Sequence, residues 1–87
     1  AYTLSKAGLL LLTKALAKQW APEGVRVNMV SPGLLENAVD YERVIGKVPM
    51  KTATALHEIA NIVAFLLNPE NIHLTGQNIE SAGALGL

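Results

Sequence analysis

Ala21-Pro22-Glu23-Gly24-Val25-Arg26-Val27-Asn28-Met29-Val30-Ser31-Pro32-Gly33 reads as a helix stop, a turn, a strand and a second stop in succession. Pro22 cannot continue a helical hydrogen-bond ladder, and Gly24 accepts the left-handed turn that follows many helices. Val25 to Val30 is β-branched at Val25, Val27 and Val30 and apolar except at Arg26 and Asn28. That pattern predicts a parallel strand covered on both faces, ended by Ser31-Pro32-Gly33.

Working outward, Thr3 to Trp20 carries apolar side chains at Leu4, Ala7, Leu11 and Ala15 and again at Leu9, Leu12 and Leu16. More than one face is covered, so a helix buried on two sides is expected. Beyond the strand, Leu34 to Thr54 has weak periodicity and is expected to be a mobile loop holding a short helix. His57 to Leu67 returns to helical spacing through Ile59, Ile62, Val63, Phe65 and Leu66, and Asn68-Pro69 stops it. After the Thr75-Gly76 turn, Gln77 to Ser81 fits a last strand, and residues 82–87 look irregular.

The order helix, strand, loop, helix, strand places the chain in the α/β class, its last three elements forming one right-handed βαβ crossover in a parallel sheet. Ordering a residue costs about 1.5 kcal/mol, and one crossover buries too little apolar surface to offset that sum comfortably. The chain is therefore expected to need more protein to fold.

Composition narrows the function classes. The 87 residues hold 7 Lys+Arg against 7 Asp+Glu, scattered along the chain. That leaves no basic patch for nucleic acid or for anionic lipid. The longest apolar run, Ala7 to Leu12, is far below the roughly 20 residues that cross a bilayer, so neither nucleic acid nor membrane is an expected partner and a cytoplasmic setting is the default. With no cysteine, disulfides and thiolate metal sites are excluded. His57 and His73 have no third ligand at metal spacing, so no metal site is expected. Trp20 is expected to pack at a helix end and Tyr41 to sit half exposed, while Asp40, Glu42 and Arg43 form a solvated face.

Tyr2 and Lys6 stand four apart at a helix start, on one face and about one turn from each other. A tyrosine hydroxyl, with pKa about 10, is a poor acid at neutral pH; a nearby ammonium stabilises its phenolate and lowers that value. The spacing suits proton transfer, and it equally fits a helix-terminal tyrosine beside a solvated lysine.

The surrounding residues decide between these. Tyr2-Thr3-Leu4-Ser5-Lys6-Ala7, Leu12-Thr13-Lys14-Ala15-Leu16-Ala17, Ala21 to Asn28, Ser31-Pro32-Gly33, Val48-Pro49, Glu58-Ile59-Ala60, Val63 to Leu67 and Thr75-Gly76-Gln77 together resemble the short-chain dehydrogenase/reductase family across essentially the whole chain. The resemblance implies that residues 1–87 are the C-terminal part of one Rossmann-like, doubly wound parallel-sheet domain. Its nucleotide-binding half, with the glycine-rich phosphate turn, the residue that selects NADP or NAD and a catalytic serine, would lie upstream of Ala1. The implied activity is NAD(P)-dependent carbonyl reduction or alcohol oxidation, 3-oxoacyl-[acyl-carrier-protein] reductase-like or pteridine reductase-like.

In that family Tyr2 is the general acid/base, and Lys6 binds the nicotinamide ribose hydroxyls and lowers the tyrosine pKa. The stretch after the Pro-Gly pair approaches the carboxamide, so Pro32, Gly33, Leu34, Leu35 and Asn37 are implied cofactor contacts. An enoyl reductase type is disfavoured, because Leu9 stands where those relatives carry the more widely spaced lysine. The implied partners are a small carbonyl or alcohol substrate, the rest of the domain, and further copies in a dimer or tetramer packed through the Thr3 to Trp20 helix and the last strand. The alternative is a non-catalytic nucleotide-sensing or assembly protein with the same fold, against which the retention of Tyr2 and Lys6 argues. Departures from the family pattern are Asn37 for the usual threonine, Lys51-Thr52 for Gly-Arg, and Ser81-Ala82-Gly83-Ala84 for Val-Asp-Gly-Gly.

Overall fold

In the computed structural model, residues 2–85 are described, with side chains from residue 4 onward. Helix α1 spans Tyr2–Trp20 and ends in a 3₁₀ turn, Ala21–Glu23, with Gly24 left-handed at φ 73° and donating its N–H to the Ala21 carbonyl. Strand β1 is Met29–Pro32, the short helix α2 is Tyr41–Val44 followed by a 3₁₀ turn Ile45–Lys47, helix α3 is Leu56–Leu67 and strand β2 is Asn78–Ser81. The two strands are neighbours in one sheet. Met29 N–H donates to the Gln77 carbonyl and Gly33 N–H to the Ser81 carbonyl; partner numbers rise together, so the pair is parallel. The helix, strand, loop, helix, strand order is as expected from the sequence.

Strand β1 starts later than its valines predict. Asn28 is the reason: its side-chain amide donates to the Leu74 carbonyl at 2.9 Å and accepts from Gln77 N–H at 3.1 Å. It takes the place of a neighbouring strand's peptide just before β1 begins. Val27 N–H likewise goes to the Thr75 hydroxyl at 3.0 Å rather than into the ladder. Val25 is left exposed. Ser31 and Pro32 lie within β1 instead of ending it.

The chain divides into two compact units, Ala1–Met29 with Leu66–Asn78 and Val30–Phe65 with Ile79–Leu87. In the first, Thr13, Ala17, Met29, Leu66 and Gly76 are buried. Helix α1 meets the Thr75-Gly76 turn through Lys14, whose Nζ donates to the Gly76 carbonyl at 3.1 Å. Gly76 itself is left-handed, at φ 71°. The expectation that α1 is buried on two sides is not met. Lys6, Leu10, Thr13 and Ala17 form a single half-buried to buried stripe, whereas Leu4 is 79% and Leu11 69% exposed, with Leu9 and Leu12 also open. Among the described residues, nothing covers this extra apolar face. Trp20 is also exposed rather than packed.

In the second unit, Ser31, Leu34, Val48 and Thr54 are buried, and Val48 is the most enclosed at 1%. Val48 N–H donates to the Ile45 carbonyl and Lys51 N–H to the Val48 carbonyl, closing successive turns around Pro49. Helix α3 begins with a backward cap: Glu58, in its first turn, accepts from the Ala55 N–H at 2.6 Å. The segment after β2 is more regular than expected. Leu85 N–H donates to the Ala82 carbonyl, and Gly83 and Ala84 both have positive φ, 59° and 71°, the signature of a type I′ turn.

Candidate active site

Tyr2 opens α1, and its side chain lies outside the described residues. Lys6 follows one turn later on the same unbroken helix and is half-buried, on the stripe that continues through Leu10, Thr13 and Ala17. Helical geometry therefore keeps residues 2 and 6 on a common face.

The other residues expected at the site belong to the second unit. Pro32 closes β1, and Gly33 passes very near the end of β2: a Cβ added at Gly33 would stand 2.6 Å from the Ala82 Cβ and 2.8 Å from its Cα. A side chain there would displace backbone, so glycine at 33 follows from close approach. Leu34 is buried, Leu35 half-buried, and Asn37 exposed.

What holds Leu34 and Leu35 in place is a set of contacts the sequence does not announce. Thr54 N–H donates to the Leu34 carbonyl at 2.7 Å and Glu36 N–H donates to the Thr54 carbonyl at 3.0 Å, a parallel bridge between residues 35 and 54. The buried Thr54 hydroxyl donates to the Ser81 carbonyl at 2.7 Å. The Glu36 carboxylate accepts from the Leu56 N–H at 3.1 Å, at the positive end of α3. Periodicity could not reveal these, because each partner lies in another segment. The local sign nearest to a signal is Glu58 in the first turn of α3, which marks where that helix starts.

Tyr41 is half-buried and lines a cavity of about 560 Å³ with Ala38, Val39 and Arg43. Asp40 and Arg43 form an exposed ion pair at 3.1 Å, as their solvated setting predicts. His57 and His73 are exposed, and among the described residues no group of His, Cys, Asp and Glu could hold a metal ion.

A model of the family described as Enoyl-(Acyl carrier protein) reductase matches residues 1–83. A short-chain dehydrogenase of Bacillus anthracis superposes with a TM-score of 0.83 at 32% identity, over 97% of this chain and 36% of that one. This chain belongs to the short-chain dehydrogenase/reductase family. Its α/β order and parallel strands are part of that family's doubly wound, Rossmann-like sheet. Among curated members of the family, the 3-oxoacyl-[acyl-carrier-protein] reductase FabG of Buchnera aphidicola is 37% identical over 97% of this chain. The enzyme of the same name from Escherichia coli is 35% identical over the same share. The chain spans 37% of the length of both.

Two departures from the family pattern have a structural reading. Lys51, where the family reads glycine, has φ 63°, and Ala84, at the second glycine of its Val-Asp-Gly-Gly, has φ 71°. Both positions require the left-handed conformation that glycine adopts freely.

Proposed function

We propose that this chain is the substrate-side part of an NAD(P)-dependent short-chain reductase that interconverts a carbonyl and an alcohol, with a 3-oxoacyl thioester as the preferred substrate class. The observation that carries the proposal is the family match over residues 1–83, with Tyr2 and Lys6 both present and opening one helix. Tyr2 is the general acid/base. Its hydroxyl gives a proton to the developing alkoxide in reduction and takes one from the alcohol in oxidation. Lys6 assists by stabilising the phenolate electrostatically.

A nicotinamide cofactor, when bound, supplies or accepts the hydride. Each unit separately carries groups whose chemistry suits such a cofactor. Lys6 offers ammonium donors to ribose hydroxyls, and the exposed Asn37 an amide that both donates and accepts. Pro32, Gly33, Leu34 and Leu35 stand at the carboxyl end of a parallel strand, the edge at which open α/β sheets bind ligands. Either NADP or NAD is compatible with these residues. Leu9 in place of a second lysine favours carbonyl over enoyl reduction.

The proposal extends to the surroundings of the chain. A nucleotide-binding half completes the domain, two or four copies assemble, and the protein works in the cytoplasm. The exposed leucines of α1 supply apolar surface for the first two. The decisive experiment is Tyr2→Phe in the whole protein: turnover of an acetoacetyl thioester falls by about two to four orders of magnitude, as loss of a general acid does, while NAD(P)H still binds. Unchanged kcat would overturn the mechanism.

A further inference from the structure

We infer that Thr54 and Glu36 are positioning residues for the nicotinamide site, acting through the backbone of Leu34 and Leu35; the inference rests on the function proposed above. Leu34 and Leu35 lie beyond the end of β1, after Gly33, yet they are not a free loop. Thr54 grips the segment from one side, its N–H on the Leu34 carbonyl and its carbonyl on the Glu36 N–H. The same residue uses its buried hydroxyl to reach the Ser81 carbonyl at 2.7 Å. That carbonyl also accepts from Gly33 N–H at 3.2 Å. A single oxygen thus ties the end of β1 and the grip on Leu34 to the end of β2.

Glu36 secures the far end of the segment. Its carboxylate accepts from Leu56 N–H at 3.1 Å, at the N-terminus of the twelve-residue helix α3, where backbone dipoles favour a negative charge. Leu34 and Leu35 are therefore fixed between Gly33, which only tolerates its place because it lacks a side chain, and Glu36, which is pinned to a helix. Neither Thr54 nor Glu36 is assigned a contact with cofactor or substrate. Their effect is to hold main-chain groups at positions a rigid ligand can use without reordering them, so that loosening them weakens cofactor binding more than it slows the chemical step.

The test uses the whole protein and fluorescence titration with NADPH and NADH, alongside steady-state reduction of an acetoacetyl thioester. Thr54→Val keeps the shape and removes the hydroxyl; Thr54→Ser keeps the hydroxyl. Thr54→Val is expected to weaken cofactor binding about fivefold or more, the factor that corresponds to losing one hydrogen bond of ordinary strength, with kcat at saturation within about twofold. Thr54→Ser restores the wild-type dissociation constant. Glu36→Ala shifts cofactor binding in the same direction, and decides the matter if Thr54→Val fails to fold, because Glu36 is exposed and its removal leaves the core intact. An active wild type whose folded variants bind cofactor normally overturns the positioning role alone; a fall in kcat without a change in cofactor binding does the same. A wild type that neither binds NAD(P)H nor reduces the thioester overturns the proposed function instead.

Discussion

Replacing Lys51 by glycine should make the protein more stable, although it deletes an entire side chain. Lys51 closes the turn around Pro49 with its N–H on the Val48 carbonyl, and its φ is 63°. For a residue with a Cβ the left-handed region costs about 1–2 kcal/mol. Glycine removes that strain but gives the unfolded chain more freedom, which returns about 0.4–1 kcal/mol. The side chain itself contributes little: Nζ reaches the Gly46 carbonyl only at 3.5 Å, in an exposed position. Such a contact lies beyond the range of a good hydrogen bond. The balance is a gain of about 0.5–1 kcal/mol for Lys51→Gly. Urea unfolding of the whole protein, followed by circular dichroism, reads the change as a shift of midpoint at constant slope. Lys51→Ala is the control, since it loses Nζ but keeps the Cβ, and its midpoint should not move. A Lys51→Gly protein less stable than wild type, or an alanine variant stabilised to the same extent, would refute the conformational argument.

Other perturbations follow the same logic. Ala84→Gly should stabilise by a similar amount, about 0.5–1 kcal/mol, because position 84 is the second left-handed residue of the turn after β2; an unchanged midpoint would count against the type I′ assignment. Gly33→Ala should destabilise by about 1–3 kcal/mol or more, the usual effect of forcing extra volume into a packed site, since its Cβ would meet Ala82 backbone. A soluble Gly33→Ala protein with wild-type stability would show that the strand ends separate without penalty. Glu58→Ala, which leaves Ala55 N–H without its cap, should lower stability by about 0.5–2 kcal/mol in a denaturant titration, and Glu58→Gln should recover most of it.

Element order and type were legible because they rest on local signals. Pro22 and Gly24 stop α1, Pro69 stops α3, and the valines before Pro32 announce a strand. The limits of β1 were not legible, because Asn28 substitutes its side-chain amide for a peptide and nothing in its neighbours says so. The burial of α1 was overestimated for a different reason: leucine at Leu4, Leu9, Leu11 and Leu12 reports the apolar character of a surface without reporting whether this stretch of chain covers it. At the candidate site, Tyr2 and Lys6 were singled out as candidates by spacing and flanking residues. The contacts by which Glu36 and Thr54 hold the Leu34-Leu35 segment were not legible, since their partners Leu56 and Ser81 are near only after folding. The left-handed positions at Lys51 and Ala84 were visible only as places where glycine was expected and another residue stood.

The register of the sheet also bears on how the protein is made. Met29 pairs with Gln77, and Gly33 with Ser81, so β1 emerges from the ribosome well before its partner exists. At about 5–20 residues per second, the nascent chain carries the unpaired backbone of β1 for seconds. During that interval Gly33 and Thr54 cannot reach their common anchor, the Ser81 carbonyl. Contacts this distant in sequence form slowly, and the order of synthesis makes the candidate cofactor segment one of the last parts of this chain to become fixed.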